Sequence, residues 1–422
     1  MYHQSVLKRS CGFPYTHRLT HRARHSENYS LSPSGSGVFL QRCGFLQRIR
    51  KLRQARGAVS FFVFVLIAGS APSQNATSAR PLPPVGRLVP AREMSTARGG
   101  HTATVLPDFR VLIAGGRQEK GVVLNSIEIY DPTAETFSPA GKMSVPREAH
   151  VAAALGDGKI LFAGGRTRGG VSLSSSDEYD PETEEFTPRG LMHARRVRPT
   201  ATVLRDGRVL VTGGQDGTQP LDSAELYDLL TGKWSLAGRM TVPRANHTAT
   251  LLSDGRVLIA GGNRGRNSAL ASTEIYDPKT NRFTRAASLR EARCKHTSAL
   301  LADARVLIAG GSRKPDHDEP LASVEVYDPT RDSFAETGKL SEPRFKLPDS
   351  ATLLDGRILV VGGAASAEIY DPKSGSFRPT TGITDAARYY PAIVQLMDGT
   401  VRIFGGYDSH GVSTAKTWIY RP

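Results

Sequence analysis

Residues 240–284 read MTVPRANHTATLLSDGRVLIAGGNRGRNSALASTEIYDPKTNRFT, and this stretch decides the fold. Two apolar-rich runs, 247–252 and 256–260, are joined by Asp254 and Gly255, a pair that favours a tight β-hairpin because glycine accepts positive φ. The nearly continuous apolar character of both runs indicates strands that are buried on two faces. We therefore predict an inner hairpin here, made of strands a and b.

The rest of the stretch predicts two further strands, c and d. Glu274 and Tyr276 lie two residues apart and so share one face of strand c, whereas Ile275 lies on the other face. An Asp-Pro pair then turns the chain, and Phe283 marks strand d. The stretch is thus one unit of four strands.

The unit recurs along the chain, most visibly as in-phase Gly-Gly pairs at spacings of 43 to 52 residues. A period of this length is typical of propeller blades with four strands each, not of helical solenoids. The content of 42 glycines and 26 prolines also suits a turn-rich β protein. The seven pairs begin at Gly115, Gly164, Gly213, Gly261, Gly310, Gly362 and Gly405.

These features resemble the kelch repeat, in the form found in exported bacterial proteins and in the propeller of galactose oxidase. The resemblance covers residues 85–422. It implies an all-β protein, a seven-bladed β-propeller of four-stranded kelch blades, and it implies no reaction by itself.

The seventh unit has no strand d of its own, because only two residues follow Tyr420. In the six complete junctions an aromatic residue of strand d lies six residues before the first apolar residue of the next unit. Counting six residues back from Met94 reaches Leu88. We therefore predict that an N-terminal outer strand around Leu88 completes the seventh blade and closes the ring.

Residues that recur in every unit are predicted to be scaffold. One tyrosine per blade is expected to pack between blades, and an arginine near the start of each unit is expected to pair with a carboxylate two residues before that tyrosine. The tyrosines are Tyr130, Tyr179, Tyr227, Tyr276, Tyr327, Tyr370 and Tyr420.

Four histidines, His101, His150, His247 and His296, occupy one position at the start of strand a, where other units carry Pro199, Asp349 and Tyr390. A ring of metal ligands is one interpretation. Histidines that bond to the backbone are the favoured one, because residues from blades 1, 2, 4 and 5 cannot converge on one ion. Three cysteines are also too few for a Cys-based zinc site. We predict no metal, no cofactor and no catalytic residue.

The candidate site is expected where the repeat is broken. The b-to-c and d-to-a connections share one face of the disc, and the b-to-c loop of blade 6 shrinks to residues 364–366. The neighbouring segments break the pattern by an insertion and by a pair of tyrosines. The predicted ligand-binding residues are Phe345, Lys346, Asp349, Arg388, Tyr389 and Tyr390. The alternative is that Phe345 and Tyr389 plug the channel mouth.

The formal net charge of +15 is not spread evenly. Residues 1–80 carry 12 basic side chains and one acid, so the other 342 residues have a net charge of only +4. A nucleic-acid partner is therefore not expected.

The leader divides into three predicted parts. Residues 48–71 have the basic, apolar and small-residue order of a signal peptide. Residues 1–47 are expected to be disordered or to precede the true start, and residues 72–84 are a linker to the propeller at 85–422. The apolar run 58–68 is too short to span a bilayer comfortably, although an uncleaved anchor is the alternative. We expect a secreted or periplasmic monomer with no stable membrane span after cleavage.

Two functions from different classes follow. The preferred one is an exported binding module that recognises a protein or a carbohydrate through the loops of one face. The alternative, which the resemblance implies, is a carbohydrate-active enzyme such as a sugar mutarotase or epimerase. An oxidase like galactose oxidase is less favoured because Cys294 is the only cysteine of the propeller. The partner is an unknown protein or glycan.

Overall fold

A computed structural model of the chain describes residues 85–422 apart from 266–267, 316–318, 348–349, 383 and 386. These residues belong to a unit that spans Arg80–Pro422. The predicted preamble, signal peptide and linker lie outside the described residues. Nowhere in the described part is there a helix of the length and apolarity that a membrane span requires.

The described residues form thirty β-strands and two short 3-10 turns, Glu119–Gly121 and Arg168–Gly170. The first four blades, with the strand β1 that precedes them and the small hairpin β12 and β13 within blade 3, have the following bounds. They are β1 (Arg87–Ala91); β2 (Thr102–Val105), β3 (Val111–Ala114), β4 (Ser126–Asp131) and β5 (Thr136–Lys142); β6 (Val151–Ala154), β7 (Ile160–Ala163), β8 (Ser176–Asp180) and β9 (Glu185–Arg189); β10 (Thr200–Val203), β11 (Val209–Thr212), β12 (Gln215–Asp216), β13 (Gln219–Pro220), β14 (Ala224–Asp228) and β15 (Lys233–Leu236); β16 (Thr248–Leu251), β17 (Val257–Ala260), β18 (Thr273–Asp277) and β19 (Arg282–Ala286).

Blades 5 to 7 follow the same order. Their strands are β20 (Thr297–Leu300), β21 (Val306–Ala309), β22 (Val324–Asp328) and β23 (Ser333–Glu336); β24 (Ala351–Thr352), β25 (Ile358–Val360), β26 (Glu368–Asp371) and β27 (Ser376–Pro379); β28 (Ala392–Gln395), β29 (Val401–Phe404) and β30 (Thr417–Arg421).

Seven antiparallel four-stranded sheets result, one per blade, and the predicted seven-bladed all-β propeller is confirmed. Six sheets have the order a, b, c, d along the chain. The seventh has the order β28, β29, β30, β1, so the N-terminal strand closes the ring as predicted. Strands a of neighbouring blades, such as β2 and β6, approach one another around the central axis.

The core lies between the blades. Tyr276 of blade 4 shares one apolar cluster with Leu210 and Leu226 of blade 3, and all seven repeat tyrosines are between 0% and 3% exposed. Each strand b is fully buried, and each is apolar along its whole length except for Thr212 in blade 3 and Arg402 in blade 7. The tyrosines are therefore part of the interblade packing, as the repeat predicts.

The Gly-Gly pair links the blades through the repeat arginine. In blade 4 the Arg244 guanidinium donates to the carbonyl of Gly261 and contacts Glu274 at 2.8 Å. The N–H of Gly262 donates to the carbonyl of Arg293 in the next blade at 2.9 Å. A Cβ atom on Gly261, whose φ is +60°, would lie 2.5 Å from that same carbonyl oxygen, so only glycine fits.

Six blades contain this buried ion pair, and each of the six arginines is completely buried. Burial lowers the pKa of each guanidinium and the paired carboxylate opposes that shift. The pairs are Arg98 with Glu128, Arg147 with Asp177, Arg196 with Glu225, Arg244 with Glu274, Arg293 with Glu325, and Arg344 with Glu368.

Candidate functional site

The b-to-c and d-to-a connections meet on one face of the disc, as the strand parity predicts. Backbone bridges join the residue just after a Gly-Gly pair to the d-to-a segment of the same blade. Examples are Asn263 with Ala245, Ser312 with Cys294, and Tyr407 with Tyr389. This face surrounds the entrance of the central channel.

Seven residues, one from each blade, form what we term the mouth ring at this entrance. All have left-handed backbone conformations, with φ between 49° and 63°. Six of them are not glycine, although this conformation is uncommon for other residues. The mouth ring consists of Gly100, Ala149, Arg198, Asn246, Lys295, Lys346 and Tyr390.

Backbone hydrogen bonds connect most of the mouth ring from blade to blade. The N–H of Ala149 donates to the carbonyl of Gly100 at 2.8 Å, and that of Arg198 donates to Ala149 at 2.9 Å. The Tyr390 N–H donates to Lys346 at 2.9 Å, and the Gly100 N–H donates to Tyr390 at 3.4 Å. The mouth ring is therefore a hydrogen-bonded frame that carries six different residue types at its seven positions.

Arg198 and Tyr390 meet over this entrance, although they belong to blades 3 and 7. The guanidinium carbon of Arg198 lies 4.8 Å from the centre of the Tyr390 ring, within the range of a cation–π contact. The same guanidinium donates to the side-chain oxygen of Asn246 at 3.3 Å. Both side chains line the channel cavity, which has a volume of about 610 Å³. This volume is in the usual range for small-ligand sites.

The channel wall below the mouth ring carries the repeat histidines. The Nε2 atom of His150 lies 3.1 Å from the hydroxyl of Thr102, and that of His296 lies 3.0 Å from Thr248, in each case on the preceding blade. His101 is the exception, because the preceding blade has Ala392 at the start of strand a. Its two ring nitrogens have no hydrogen-bond partner within the described part of the chain.

Burial keeps these histidines neutral. It lowers the pKa of His101 and of His296 to about 3, with the nearby repeat arginines adding to the shift. The pKa values of His150 and His247 are also well below the ordinary value, for the same reasons. The bonds run from histidine to threonine side chains of the neighbouring blade, not to the backbone as expected.

The donor set does not fit a copper centre of the kind that the fold family implies. In the residues that the structure describes, no three His, Cys, Asp or Glu side chains are placed to hold one metal ion. Cys294 is buried, and its sulfur lies 3.5 Å from the carbonyl oxygen of Ser312. We therefore derive no chemistry through a metal at this mouth.

One carboxylate, Glu148, lines the cavity beside the mouth ring. It is 5% exposed, and Arg166 donates to its Oε1 atom at 2.9 Å. Arg117 lies 3.6 Å from Oε2, and the Tyr407 hydroxyl lies 3.2 Å from the same atom. Burial, with Glu148 nearby, raises the pKa of Tyr407. The negative charge of Glu148 is thus compensated by two arginines.

The predicted ligand-binding residues fall into two groups. Tyr390 belongs to the mouth ring and lines the cavity. Phe345 and Tyr389 pack together with ring centres 5.4 Å apart, and the Lys346 ammonium lies 4.6 Å and 4.9 Å from those two rings. These four are brought together at the blade 6 and 7 junction.

Arg388 lies deeper and occupies the place of the repeat arginine in blade 7. It is buried, pairs with Asp385 at 2.6 Å and lies over the ring of Trp418, which replaces the usual carboxylate. Its carbonyl accepts the N–H of Gly363, like the repeat arginines of other blades. Asp349 lies outside the described residues. A ligand-binding role for the six residues stays a prediction.

Sequence reasoning missed Arg198, Glu148 and Tyr407. Arg198 lies two residues before strand a, at a position where the other blades have glycine, alanine, asparagine, lysine or tyrosine, and this variation is the signal that could have found it. Glu148 is the only acid at its repeat position, which holds Gly99 and Val197 in the neighbouring blades. At both positions the residue type differs from that of the other blades, but the length of the segment is unchanged.

Comparisons with known proteins agree with this architecture. The family model for the kelch motif matches residues 97–144, 196–241 and 243–290. No curated protein matches the sequence significantly. Among solved structures, a fungal alcohol oxidase of the AA5 family, in complex with copper, is similar with a TM-score of 0.66 and 19% identity, over 80% of this chain and 76% of that one. Such a likeness shows the fold alone. The chain carries kelch motifs on a seven-bladed β-propeller whose fold is similar to that of this alcohol oxidase.

Proposed function

We propose that this propeller is a binding module and that its ligand binds at the mouth ring. The observation that carries the proposal is the mouth ring itself. Seven residues share one backbone conformation, yet their side chains range from glycine to arginine and tyrosine. A rigid frame that displays unlike side chains is what selective binding requires, because less conformational freedom is lost when the ligand binds.

The cavity below the mouth ring supports a ligand of small size, or one small group of a larger protein or glycan. Its wall combines the hydroxyls of Thr102, Thr200 and Thr248 with apolar residues of the inner strands. Tyr390 adds an aromatic face at the entrance. Carbohydrates and peptides both suit a surface of alternating hydroxyl and apolar groups with one aromatic ring.

Binding is favoured over catalysis by the partners of the acidic group. An acid or base for sugar mutarotation must reach the substrate and exchange a proton with it. Glu148 is buried, accepts a hydrogen bond from Arg166 and lies 3.6 Å from Arg117. The raised pKa of Tyr407 makes its hydroxyl a weak acid. These groups are arranged to hold charge in place, which supports recognition.

The test is a screen of glycan and peptide arrays with the full chain and two variants. Tyr390→Ala alters the mouth ring. Met397→Ser is the matched control, because Met397 is 76% exposed at an a-to-b hairpin on the opposite face. We expect wild type and Met397→Ser to bind the same ligands, and Tyr390→Ala to bind them at least about tenfold more weakly, a loss of about 1.4 kcal/mol. No ligand for wild type, or a loss confined to Met397→Ser, contradicts the proposal.

We further propose that the protein is exported, to the periplasm or outside the cell, with residues 48–71 as the signal peptide. The order of basic, apolar and small residues supports this. Sequencing the N-terminus of the mature protein tests it. A start near residue 72 is the expected result, and a mature chain that retains residues 58–68 contradicts cleavage.

A further inference from the structure

We infer that the ligand of the mouth ring is a carboxylic acid that also carries hydroxyl or carbonyl groups, and that Arg198 binds its carboxylate. The inference rests on the proposed function and names the chemical class of ligand for the same site. It depends on Arg198, on the threonine hydroxyls of the cavity wall and on the way the charge of Glu148 is compensated.

Arg198 differs from the arginines of the scaffold in its partners. The six fully buried repeat arginines each contact a carboxylate, and Arg117 and Arg166 share Glu148. Arg198 forms no ion pair with any acid in the described ranges of the chain. The single hydrogen bond of its guanidinium there goes to the neutral side chain of Asn246 at 3.3 Å. A guanidinium has five N–H donors, so donors remain for an anionic ligand.

The position of the Arg198 guanidinium is fixed before any ligand binds. Its backbone belongs to the hydrogen-bonded mouth ring, and Tyr390 and Asn246 hold the far end of the side chain. A planar guanidinium that is already oriented favours a carboxylate, because two parallel N–H donors match its two oxygen atoms. Little side-chain entropy is lost on binding.

Glu148 does not oppose an anion at this site. Its charge is compensated by Arg166 at 2.9 Å and by Arg117 at 3.6 Å. Glu148, Arg166 and Arg117 together carry a net charge of one positive unit, and the Arg198 guanidinium adds a second. The electrostatic potential that these residues produce at the entrance therefore attracts an anion.

The cavity wall indicates what the rest of the ligand carries. Thr102, Thr200 and Thr248 line the cavity and are partly exposed, and each hydroxyl lies within hydrogen-bond distance of a buried histidine of the next blade. A hydroxyl group has one donor and two acceptor lone pairs, so each of the three keeps capacity for a ligand. Hydroxyl or carbonyl groups of the ligand use that capacity, and an alkyl chain does not.

The experiment measures the affinity of three small probes for the full chain by calorimetry. The probes are D-glucuronate, D-glucose as the neutral relative that lacks the carboxylate, and inorganic phosphate as a tetrahedral anion. Each is titrated into wild type, Arg198→Gln and Arg205→Gln. Arg205 is the matched control, because it lies at an a-to-b hairpin on the opposite face, where it donates to the carbonyl of Ser253.

We expect D-glucuronate to bind wild type at least about tenfold more tightly than D-glucose or phosphate, which corresponds to one charge-assisted contact. Arg198→Gln removes that difference and leaves D-glucose unaffected, and Arg205→Gln changes nothing. Equal melting temperatures of the variants show that each one is folded.

Three results overturn the inference. D-glucose and D-glucuronate bind equally; D-glucuronate binds no tighter than phosphate; or D-glucuronate does not bind at millimolar concentration. If neutral array ligands still depend on Tyr390, the binding function stands and only the carboxylate class fails. If D-glucuronate binds but neither Arg198→Gln nor Tyr390→Ala changes its affinity, the mouth ring is not the site and both proposals fail.

Discussion

Leu88 lies directly opposite Tyr420 in the antiparallel register of blade 7. In the other six blades the residue opposite the repeat tyrosine is aromatic, and the two rings lie 4.8 to 5.1 Å apart. Leu88 fills the same place and is buried. Because β1 and β30 come from opposite ends of the propeller, this pair closes the ring and covers the outer edge of β30.

Deleting residues 81–93 tests this closure. The deletion removes β1, so it exposes the edge of β30 and loses the burial of Leu88. The loss of one buried leucine alone costs about 2 to 5 kcal/mol. We expect a lower melting temperature, together with association of the variant on gel filtration, because an unpaired strand edge recruits other chains. Deletion of residues 72–80 is the control, and equal melting of the two deletions rules the closure out.

Scaffold tyrosines and mouth tyrosines should respond differently to mutation. Tyr276 is fully buried between blades 3 and 4, and its hydroxyl donates to the side-chain oxygen of Asn281 at 2.9 Å. Tyr276→Ala should lower the free energy of unfolding by about 3 to 5 kcal/mol. Tyr390→Ala, which removes a partly exposed ring, should lower it by less than about 1 kcal/mol. Urea unfolding compares the two, and equal losses refute the separation.

The fold was predictable because sequence period and strand pattern are properties of residue types. Gly-Gly pairs, hairpin signals and aromatic residues of strand d recur in phase, and the offset to Leu88 predicted the closing strand. The ion pairs of six blades were predictable too, since a carboxylate that is buried between blades needs a cation.

The site was less predictable, because a left-handed backbone is not marked by any one residue type. The mouth ring contains alanine, arginine, asparagine, lysine and tyrosine, so no pattern of letters reveals it. The alignment of the last two blades also shifted. The sequence pattern aligned Tyr390 with the repeat histidines, but the structure has Pro391 at that position. In blade 6 the position is held by Leu347, because its side chain lies against Gly310 as the side chain of His296 lies against Gly261.

Phe109 provides a test of backbone strain. It has a φ of 71° at the tip of the a-to-b hairpin, where five other blades have glycine, and it is 53% exposed. Its burial therefore offsets little of the cost of a left-handed conformation, about 1 kcal/mol. Phe109→Gly should raise the free energy of unfolding by up to about 1 kcal/mol. Gly255→Ala, in the same position of blade 4, should lower it. A loss of stability in Phe109→Gly contradicts this account.

The buried histidines should make stability depend on pH. The pKa of His296 is about 3 in the folded protein and about 6.5 when it is unfolded. Between these values the unfolded chain binds the extra proton, so this histidine's contribution is complete above pH 6.5 and is lost as the pH falls towards 3. The slope is up to about 1.4 kcal/mol per pH unit.

His296→Leu should reduce that slope by the same amount, because leucine does not titrate and blade 6 already has Leu347 at this position. Urea unfolding at pH 5 and pH 7 provides the measurement. The variant also loses the contact of His296 with Thr248 at 3.0 Å, which lowers stability equally at both pH values. An unchanged difference between the two pH values would show that His296 is not the titrating group.

Arg402 is a buried cation that the repeat does not require. The other six blades have leucine at this position of strand b, and they carry their hairpin arginine or lysine two residues earlier, where blade 7 has Thr400. The charge has thus moved two residues along one face, from the hairpin into the strand. The Arg402 guanidinium lies 5.5 Å from the centre of the Tyr130 ring. Its Nε and Nη1 atoms have no hydrogen-bond partner among the residues described.

Arg402→Leu should therefore stabilise the protein. An unsatisfied buried donor costs about 1 to 3 kcal/mol, which exceeds the about 0.5 to 1 kcal/mol typical of a cation–π contact. We expect a higher urea midpoint for Arg402→Leu, and at least the same gain when Thr400→Arg is added, because the pair of changes restores the pattern of the other blades. Leu359→Arg, the reverse change in blade 6, should destabilise. A lower midpoint for Arg402→Leu would mean that the contact with Tyr130 outweighs the unsatisfied donors.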